Sequence, residues 1–339
     1  MTKGDIYTKE IIKRILEEGT LDENSNLQYE DGTPAHSLSV SHGMCTYDLT
    51  KGESPLITLS PITIKNGIGE ILWIYRDASN NIYDLERKYG IKSWRKYMIN
   101  PHFYDEKGVI QRGHNPYEGY YYDSLKNKMQ LGEKSLTLLD KDFDLKHNII
   151  DSNTGDVITP KGTIGACYGY TVRTHHQFLH LIDGIQNNPF GRHIMNLWQE
   201  DDLRLDHGLK PSAFLTEWNV RKKDDEYFLD MKLTQNSGDI IAQSNNYQTQ
   251  YVIFLCMVAK HLGMTPGKFS LVYNSIQIYD RNIEAAKEIL EREPVDCNPT
   301  IDILNENIDV IKVDEIKVRD YPVDEIAKKN KQLKLELVI

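Results

Sequence analysis

The stretch from Thr163 to Tyr251 constrains the fold more than any other part of this chain. It contains three kinds of short sequence block, which follow one another in a fixed order. A Gly/Tyr turn that ends in an arginine (Gly165–Arg173) comes first, and an amphipathic helix over 176–187 follows it. Strand pairs are then predicted around Pro211-Ser212 and around residues 236–239. The stretch therefore predicts a turn, a helix and paired strands in close succession.

The charge balance argues against one broad class of function. The 339 residues carry a formal net charge of -10 at pH 7, whereas a general nucleic-acid binder needs a basic face. A small anionic ligand stays compatible, because a few arginines can form a local positive pocket. No apolar run reaches the roughly 20 residues that span a bilayer, and the charged N-terminus lacks a signal-peptide core. We therefore predict a cytoplasmic protein that acts on a small molecule, with neither a nucleic acid polymer nor a membrane as partner.

The cysteines give no sign of a metal centre. They are scattered along the chain and show neither a CxxC motif nor the spacing of a metal site. This distribution predicts reduced thiols in a cytoplasmic protein, and no metal. The four are Cys45, Cys167, Cys256 and Cys297.

Upstream of the 163–251 stretch, the pattern predicts two helices with a strand between them. Apolar side chains recur every three to four residues from Thr8 to Glu18, and Gly19 predicts the end of that helix. Alternating apolar residues from Leu38 onward predict a strand that runs into a turn at Lys51-Gly52. Ile64–Tyr75 is predicted to be a helix that is buried along one face.

Glu70 lies within the apolar pattern of that second helix. Burying a carboxylate without a partner is costly, so a buried Glu70 would either be paired or face a wet cavity. The alternative interpretation is a helix glutamate turned toward solvent. The sequence leaves both open.

The order and spacing of these blocks resemble the thymidylate synthase family, which transfers a one-carbon unit to C5 of a pyrimidine nucleotide. The similarity runs from about Leu38 to Ile316. It implies an α/β fold with a large mixed β-sheet, helices packed on one side of it, and the other sheet face forming a homodimer interface. The positions that match best are expected to be packing residues: Trp73, Tyr168-Gly169, Arg173, Pro189, Trp198 and Tyr251.

The resemblance also implies one domain over residues 1–339 that carries an insertion at about 100–161. This insertion has no counterpart in a minimal family member, and it is polar and turn-rich. Its tyrosine cluster, at 117 and 120–122, could cover a ligand or a partner. The alternative is a surface insertion with short hairpins of its own.

The position of the family's nucleophile carries a different residue here. In the family a cysteine thiolate, in a Leu-x-Pro-Cys-His run, adds to C6 of the pyrimidine. Here the run ends in Pro211, Ser212 and Ala213. A serine hydroxyl is a poor nucleophile unless a base activates it, so Ser212 is either a candidate catalytic residue or a polar wall of the pocket. Cys167 could be a displaced thiol or a small core residue.

The resemblance implies a phosphate site in which several arginines are replaced. A pair of arginines that crosses the dimer interface in the family corresponds to Arg192 and His193. The Arg-Ser pair of the next block corresponds to Asn236 and Ser237. A further arginine of the family belongs to a loop that corresponds to residues 30–33, where two carboxylates stand instead. An acidic loop repels phosphate, and its other interpretation is a solvated loop.

The remaining positions concern the base, the ribose and the folate. The asparagine that reads the uracil edge in the family corresponds to Tyr247, and the ribose-binding histidine and tyrosine correspond to Gln277 and Tyr279. Trp94 and Asp239 correspond to the folate-contacting tryptophan and aspartate, so the implied cofactor is a tetrahydrofolate derivative. Core packing is the alternative for Trp94.

These expectations leave three functions open. The first is an enzyme on a pyrimidine nucleotide or related base, with a remodelled pocket and without the usual thiolate mechanism. Glu70, Tyr168, Asp239 and Ser212 would have polar or proton-relay roles in it. The second is a catalytically silent homologue that binds a ligand or a partner. The third, which the substitutions disfavour most, is an active thymidylate synthase or hydroxymethylase.

Overall fold

A computed structural model of the chain describes residues 1–22, 27–97, 148–150, 157–160, 163–203, 209–242, 244–336 and 338. The chain divides into two compact units. The larger consists of residues 1–71, 179–196 and 212–339, and the smaller of residues 72–178 and 197–211.

The described residues form both α-helices and β-strands, of which the longest are an 18-residue helix and a 15-residue strand. The α-helices are α1 Lys3–Glu18, α2 Ile64–Ile71, α3 Ile82–Tyr89, α4 Gly169–Thr174, α5 Gln177–Asn187, α6 Glu200–Leu203, α7 Ser244–His261, α8 Ile283–Glu291 and α9 Val323–Lys329. The strands are β1 Thr20–Leu21, β2 Ser37–Asp48, β3 Asn148–Ile150, β4 Val157–Pro160, β5 His193–Asn196, β6 Ala213–Lys223, β7 Glu226–Asp239, β8 Thr265–Tyr279, β9 Thr300–Ile303 and β10 Ile316–Arg319.

The larger unit is built on a six-stranded sheet in the order β1-β2-β8-β7-β6-β5. Strands β7 and β8 run parallel, while the other neighbouring pairs are antiparallel. The large mixed sheet predicted from the sequence is therefore confirmed. Strands β9 and β10 form a separate antiparallel pair.

One face of this sheet forms the core of the larger unit. A single row of side chains crosses five strands in register, and no member of it is more than 7% exposed. The row is Met195, Thr216, Leu233, Leu271 and Cys45. Because side chains alternate between the two faces of a strand, this register directs every second residue into the core.

Helix α7 covers this inner face. It packs on β7 and β8, and its residues 251–259 are all buried, as expected for a helix that is apolar all round. The ring of Phe254 meets that of Trp218 on β6 edge to face, with centroids 5.4 Å apart. Helix α1 packs on β2, where its Tyr7 and Ile11 lie against Gly43 on the same face as Cys45, so both helices lie on one side of the sheet, as predicted.

The sequence predicted the elements of α1 and α2 well and their ends less well. Helix α1 begins at Lys3, earlier than predicted, because Thr2 and Asp5 form a reciprocal capping box. The predicted 64–75 helix ends as an α-helix at Ile71 and continues as a π-helical turn, in which the Asp77 N–H donates to the Leu72 carbonyl at 2.8 Å. The predicted strand at 38–49 and its turn are confirmed as β2 and a left-handed glycine at position 52.

The smaller unit has an aromatic centre. Trp94 makes edge-to-face contacts with Trp73, Tyr97 and Tyr168 at centroid distances of 5.3, 5.7 and 5.5 Å. The indole N–H of Trp73 donates to the Asn81 carbonyl at 3.1 Å. Of the 100–161 insertion, the structure describes β3 and β4, which pair antiparallel, and the tyrosine cluster lies outside the described residues.

The outer face of the large sheet leads to a prediction about association. Met44 on β2 and Ile194 on β5 are 66% and 58% exposed on this face, with three strands between them, and the family resemblance implies a homodimer interface on this face. We expect this face to pair with the same face of a second copy. Sedimentation at low micromolar concentration should then show one species of twice the 39.2 kDa chain mass.

A matched pair of variants sharpens this test. Ile194→Glu should shift the protein toward monomer, because it places a charge on the proposed interface. Leu304→Glu changes an exposed leucine outside the large sheet and should leave the mass unchanged. A clean monomer for the unmodified chain would refute the proposed interface.

Candidate functional site

Ser212 lies immediately before β6 and is tied to the end of β7. Its hydroxyl donates to the Ser237 carbonyl, and its Oγ accepts from the side-chain Nε2 of Gln235 at 3.2 Å. Its own carbonyl accepts from the Asn236 N–H at 2.8 Å. The hydroxyl proton is therefore directed to a peptide carbonyl, which is no general base. This geometry suits a polar wall better than a nucleophile.

Gln235 is a site residue that the sequence analysis missed. It is fully buried, and its Nε2 donates to the Ser237 carbonyl at 2.9 Å as well as to Ser212. Its Oε1 is buried and has no hydrogen-bond partner among the described residues. The sequence contained a pattern that predicts the burial of Gln235, because the alternation of β7 places position 235 on the same inner face as Met231 and Leu233.

Asp239 ends β7 and points its carboxyl group into a buried position. One oxygen, Oδ1, accepts from the N–H groups of Ile241 and Ala242 at 3.0 Å each. Burial raises the pKa of Asp239 to about 6, although these two backbone donors act in the opposite direction. The carboxyl group therefore titrates close to neutral pH.

The proposed ribose and base positions lie beside Asp239 or on the helix that follows it. Gln277 is in register with Asp239 across β7 and β8, and its Nε2 donates to the Tyr279 hydroxyl at 3.0 Å. Tyr279 is buried, and Tyr247 on α7 is half-buried. The structure thus brings Ser212, Ser237, Asp239 and Gln277 to the ends of adjacent or paired strands.

Arg192 and His193 occupy opposite environments. Arg192 is exposed. His193 is only 8% exposed, and its Nε2 lies 2.9 Å from the Asn188 carbonyl. The ring fills the space beside Gly184, where an added Cβ would lie 3.1 Å from Nδ1. His193 therefore closes the C-terminal end of α5, which gives the ring a packing role that the sequence analysis did not foresee.

Glu70 is paired with a buried glutamine. It is half-buried on α2, and its carboxylate accepts from Nε2 of Gln250 on α7. Gln250 is 5% exposed, so the partner is fixed inside the fold. The interpretation of Glu70 as a helix residue turned to bulk solvent is therefore not supported.

The remaining predicted positions lie in the smaller unit. Trp94 is 8% exposed and surrounded by three aromatic rings, as its core-packing interpretation predicts. Tyr168 is buried and takes a positive φ of 49° at the start of α4, a strained backbone for a tyrosine. Cys167 is buried and donates its S–H to the Ile164 carbonyl at 3.4 Å, which favours a small core residue.

The acidic loop over residues 30–33 contacts an arginine from a distant part of the chain. The Arg281 guanidinium lies 4.2 Å from the centre of the Tyr29 ring and bonds Asp31 at 3.0 Å, Glu336 at 2.6 Å and the Thr33 hydroxyl at 2.6 Å. Two carboxylates thus already neutralise this cation. No local pattern predicts the contact, because Arg281 is 250 residues from Asp31.

Two features that the described residues lack bear on the class of site. Across these residues, no three His, Cys, Asp or Glu side chains are grouped as a metal site would require. The same residues contain no helix with the length and apolarity needed to cross a membrane.

The raised pKa of Asp239 predicts a pH-dependent stability. The folded protein holds this proton more tightly than the unfolded chain, whose aspartate has an ordinary pKa of 3.8. The stability contribution is fully present below about pH 4 and is lost as the pH rises through about 6, for a total of about 3 kcal/mol. Asp239→Asn removes the titration, so the unfolding free energy of wild type minus variant should fall by about that amount from pH 4 to pH 7.

Urea unfolding at pH 4, 5, 6 and 7 measures this difference. Asp224→Asn, in the exposed turn between β6 and β7, is the control for a surface change of the same type. Parallel pH profiles for wild type and Asp239→Asn would show that Asp239 has no raised pKa.

Comparisons with known proteins agree with this architecture. A family model described as thymidylate synthase matches residues 6–332. The thymidylate synthases of Streptococcus gordonii and Streptococcus thermophilus are 34% and 33% identical over 345 and 340 residues, with 100% of both chains covered. The structure of thermostable thymidylate synthase A from Bacillus subtilis has a TM-score of 0.73 at 23% identity and covers 99% of each chain. The chain therefore belongs to the thymidylate synthase family.

Proposed function

We propose that this chain binds a pyrimidine nucleoside, nucleotide or related base in a remodelled pocket and acts on it without a thiolate nucleophile. The observation that carries the proposal is the orientation of Ser212, whose hydroxyl proton is directed to the Ser237 carbonyl. Addition to C6 of a pyrimidine requires a deprotonated nucleophile that later departs. A neutral hydroxyl held in this way meets neither need.

The proposed pocket offers neutral hydrogen-bonding groups and one titrating acid. Ser212 and Gln277 present a hydroxyl and an amide, which orient a ligand without forming a bond to it. Asp239, with a pKa raised to about 6, is suited to exchange a proton near neutral pH. Glu70 is the second carboxylate of the proposed site, and its pairing with Gln250 fixes its position. We assign proton relay to these two acids and ligand orientation to the neutral groups.

A phosphate group would find few cations in this proposed pocket. Of the predicted phosphate contacts, His193 is held against the Asn188 carbonyl, and Asn236 and Ser237 are neutral. Arg281, which contacts the 30–33 loop, is paired with two carboxylates. Among the predicted phosphate-binding positions, exposed Arg192 is the cation that could contact a phosphate group. We therefore infer that the ligand is recognised mainly through its base and sugar.

The family normally uses a folate derivative, and the predicted folate residues differ in how well they suit one. Asp239 retains one carboxylate oxygen, Oδ2, with no hydrogen-bond partner among the described residues. Trp94 is 8% exposed within its aromatic cluster and offers little ring surface for stacking. Trp94 is thus a poor fit for a stacked pterin, and no step of the proposal involves folate.

Two other functions would give different results in the tests. A catalytically silent homologue would bind a ligand or a partner and release no product. An active thymidylate synthase would require Ser212, or a thiol elsewhere, to act as the nucleophile. The buried, hydrogen-bonded thiol of Cys167 argues against that residue in the role.

The proposal predicts that methyl transfer to deoxyuridylate is absent or very weak. Tritium release from C5, with methylene-tetrahydrofolate present, measures it directly. We expect no turnover above background, and calorimetric titration should give millimolar or weaker binding of deoxyuridylate, because losing two charge-assisted contacts weakens binding by about two to four powers of ten.

Ser212→Cys is the informative companion variant. It restores a thiol, yet it should not restore tritium release, because the phosphate contacts stay absent. Turnover of unmodified protein at about 1 per second or faster would refute the proposal and favour an active synthase.

A further inference from the structure

Buried Gln235 has one unused hydrogen-bonding atom inside the candidate site. Its Nε2 donates to Ser212 and to the Ser237 carbonyl, so the donor end of the amide is engaged. Its Oε1 is buried, yet it has no partner among the described residues. A buried acceptor without a donor is unfavourable, and native proteins fill such positions with water or a ligand.

The surroundings of Gln235 fix the direction of its amide. Ser212 donates to the same Ser237 carbonyl that accepts from Nε2. Reversing the amide would place Oε1 against that carbonyl and would lose both donated bonds. The acceptor therefore stays on the side of the amide away from Ser237.

We propose that Gln235 is a positioning and specificity-determining residue, whose Oε1 accepts a hydrogen bond from the imide N–H of a pyrimidine, directly or through one bound water. This inference rests on the proposed function. An amide presents donors and an acceptor in one plane, which the phenol of Tyr247 at the predicted base-reading position does not. Gln235 is a buried amide beside Ser212, and its Oε1 is a hydrogen-bond acceptor without a donor among the described residues.

The assignment has a chemical consequence for ligand choice. A pyrimidine nucleoside with a free N3–H satisfies the acceptor, whereas the N3-methyl derivative carries no donor there. Losing one neutral hydrogen bond weakens binding by about three- to tenfold. Wild type should therefore prefer deoxyuridine to N3-methyldeoxyuridine by at least that factor.

Calorimetric titration of both nucleosides against three proteins tests the proposal. Gln235→Met keeps the side-chain length and removes the acceptor, so its preference for deoxyuridine should fall to about one. Gln248→Met is the matched control, because Gln248 is an equally buried glutamine on α7 whose Oε1 already accepts from Tyr47. That control should retain the wild-type preference.

Steric exclusion of the methyl group and recognition of the N–H give different results. If the methyl group simply clashes, the preference for deoxyuridine persists in Gln235→Met and the assignment is overturned. If wild type binds the two nucleosides equally, the assignment is also overturned while the proposed function stands. If wild type binds neither nucleoside, the proposed function fails and this inference fails with it.

A stability measurement covers the case in which Gln235→Met folds poorly. Urea unfolding shows whether the variant is folded, and some loss of stability is expected because Gln235→Met loses the two bonds that Nε2 donates to Ser212 and to the Ser237 carbonyl. If Gln235→Met does not fold, the wild-type comparison decides, and equal binding of the two nucleosides overturns the assignment.

Discussion

The register of the large sheet is the constraint on which the candidate site depends. On β7 the inward residues are Met231, Leu233 and then Gln235, so the inner face changes from apolar to polar as the strand approaches its end. Because the side-chain period of a strand is two, a slip of one residue would turn Asn236 inward and Gln235 outward. The apolar rows under α7 make such a slip costly, since every core side chain of the strand would move to the outer face. The core thus fixes the polar groups of the site.

The same register explains why neighbouring residues have different roles. Gln235 and Ser237 contribute an amide and a carbonyl that enclose the Ser212 hydroxyl, whereas Asn236 between them is exposed. Asp239 lies beyond them, opposite Gln277. In the proposed function, this sequence of neutral groups ending in a buried acid replaces a charged, thiol-based site with one that recognises a ligand through hydrogen bonds.

Much of the fold could be predicted from the sequence, because the signals were local. The stripe of α1, the alternation of β2 and the helix before Asn188-Pro189 each lie within a few residues of chain, and the order of the blocks indicated the mixed sheet. Contacts between distant positions were not predictable in this way. Arg281 reaches Asp31, and Gln250 reaches Glu70, only after the chain has folded. The burial of His193 was partly predictable, because alternate residues of β5 point inward, at positions 193 and 195.

The central claim is that Ser212 forms no bond to a pyrimidine. Mass spectrometry of the intact protein after incubation with 5-fluorodeoxyuridylate and methylene-tetrahydrofolate tests it most directly, because a nucleophile that adds to C6 of this compound is trapped when the fluorine at C5 blocks the later proton loss. The ligand is supplied well above millimolar concentration so that weak binding does not decide the result. We predict the mass of the unmodified chain. An added mass equal to the ligand, with or without the folate, that maps to the peptide containing Ser212 would contradict the account.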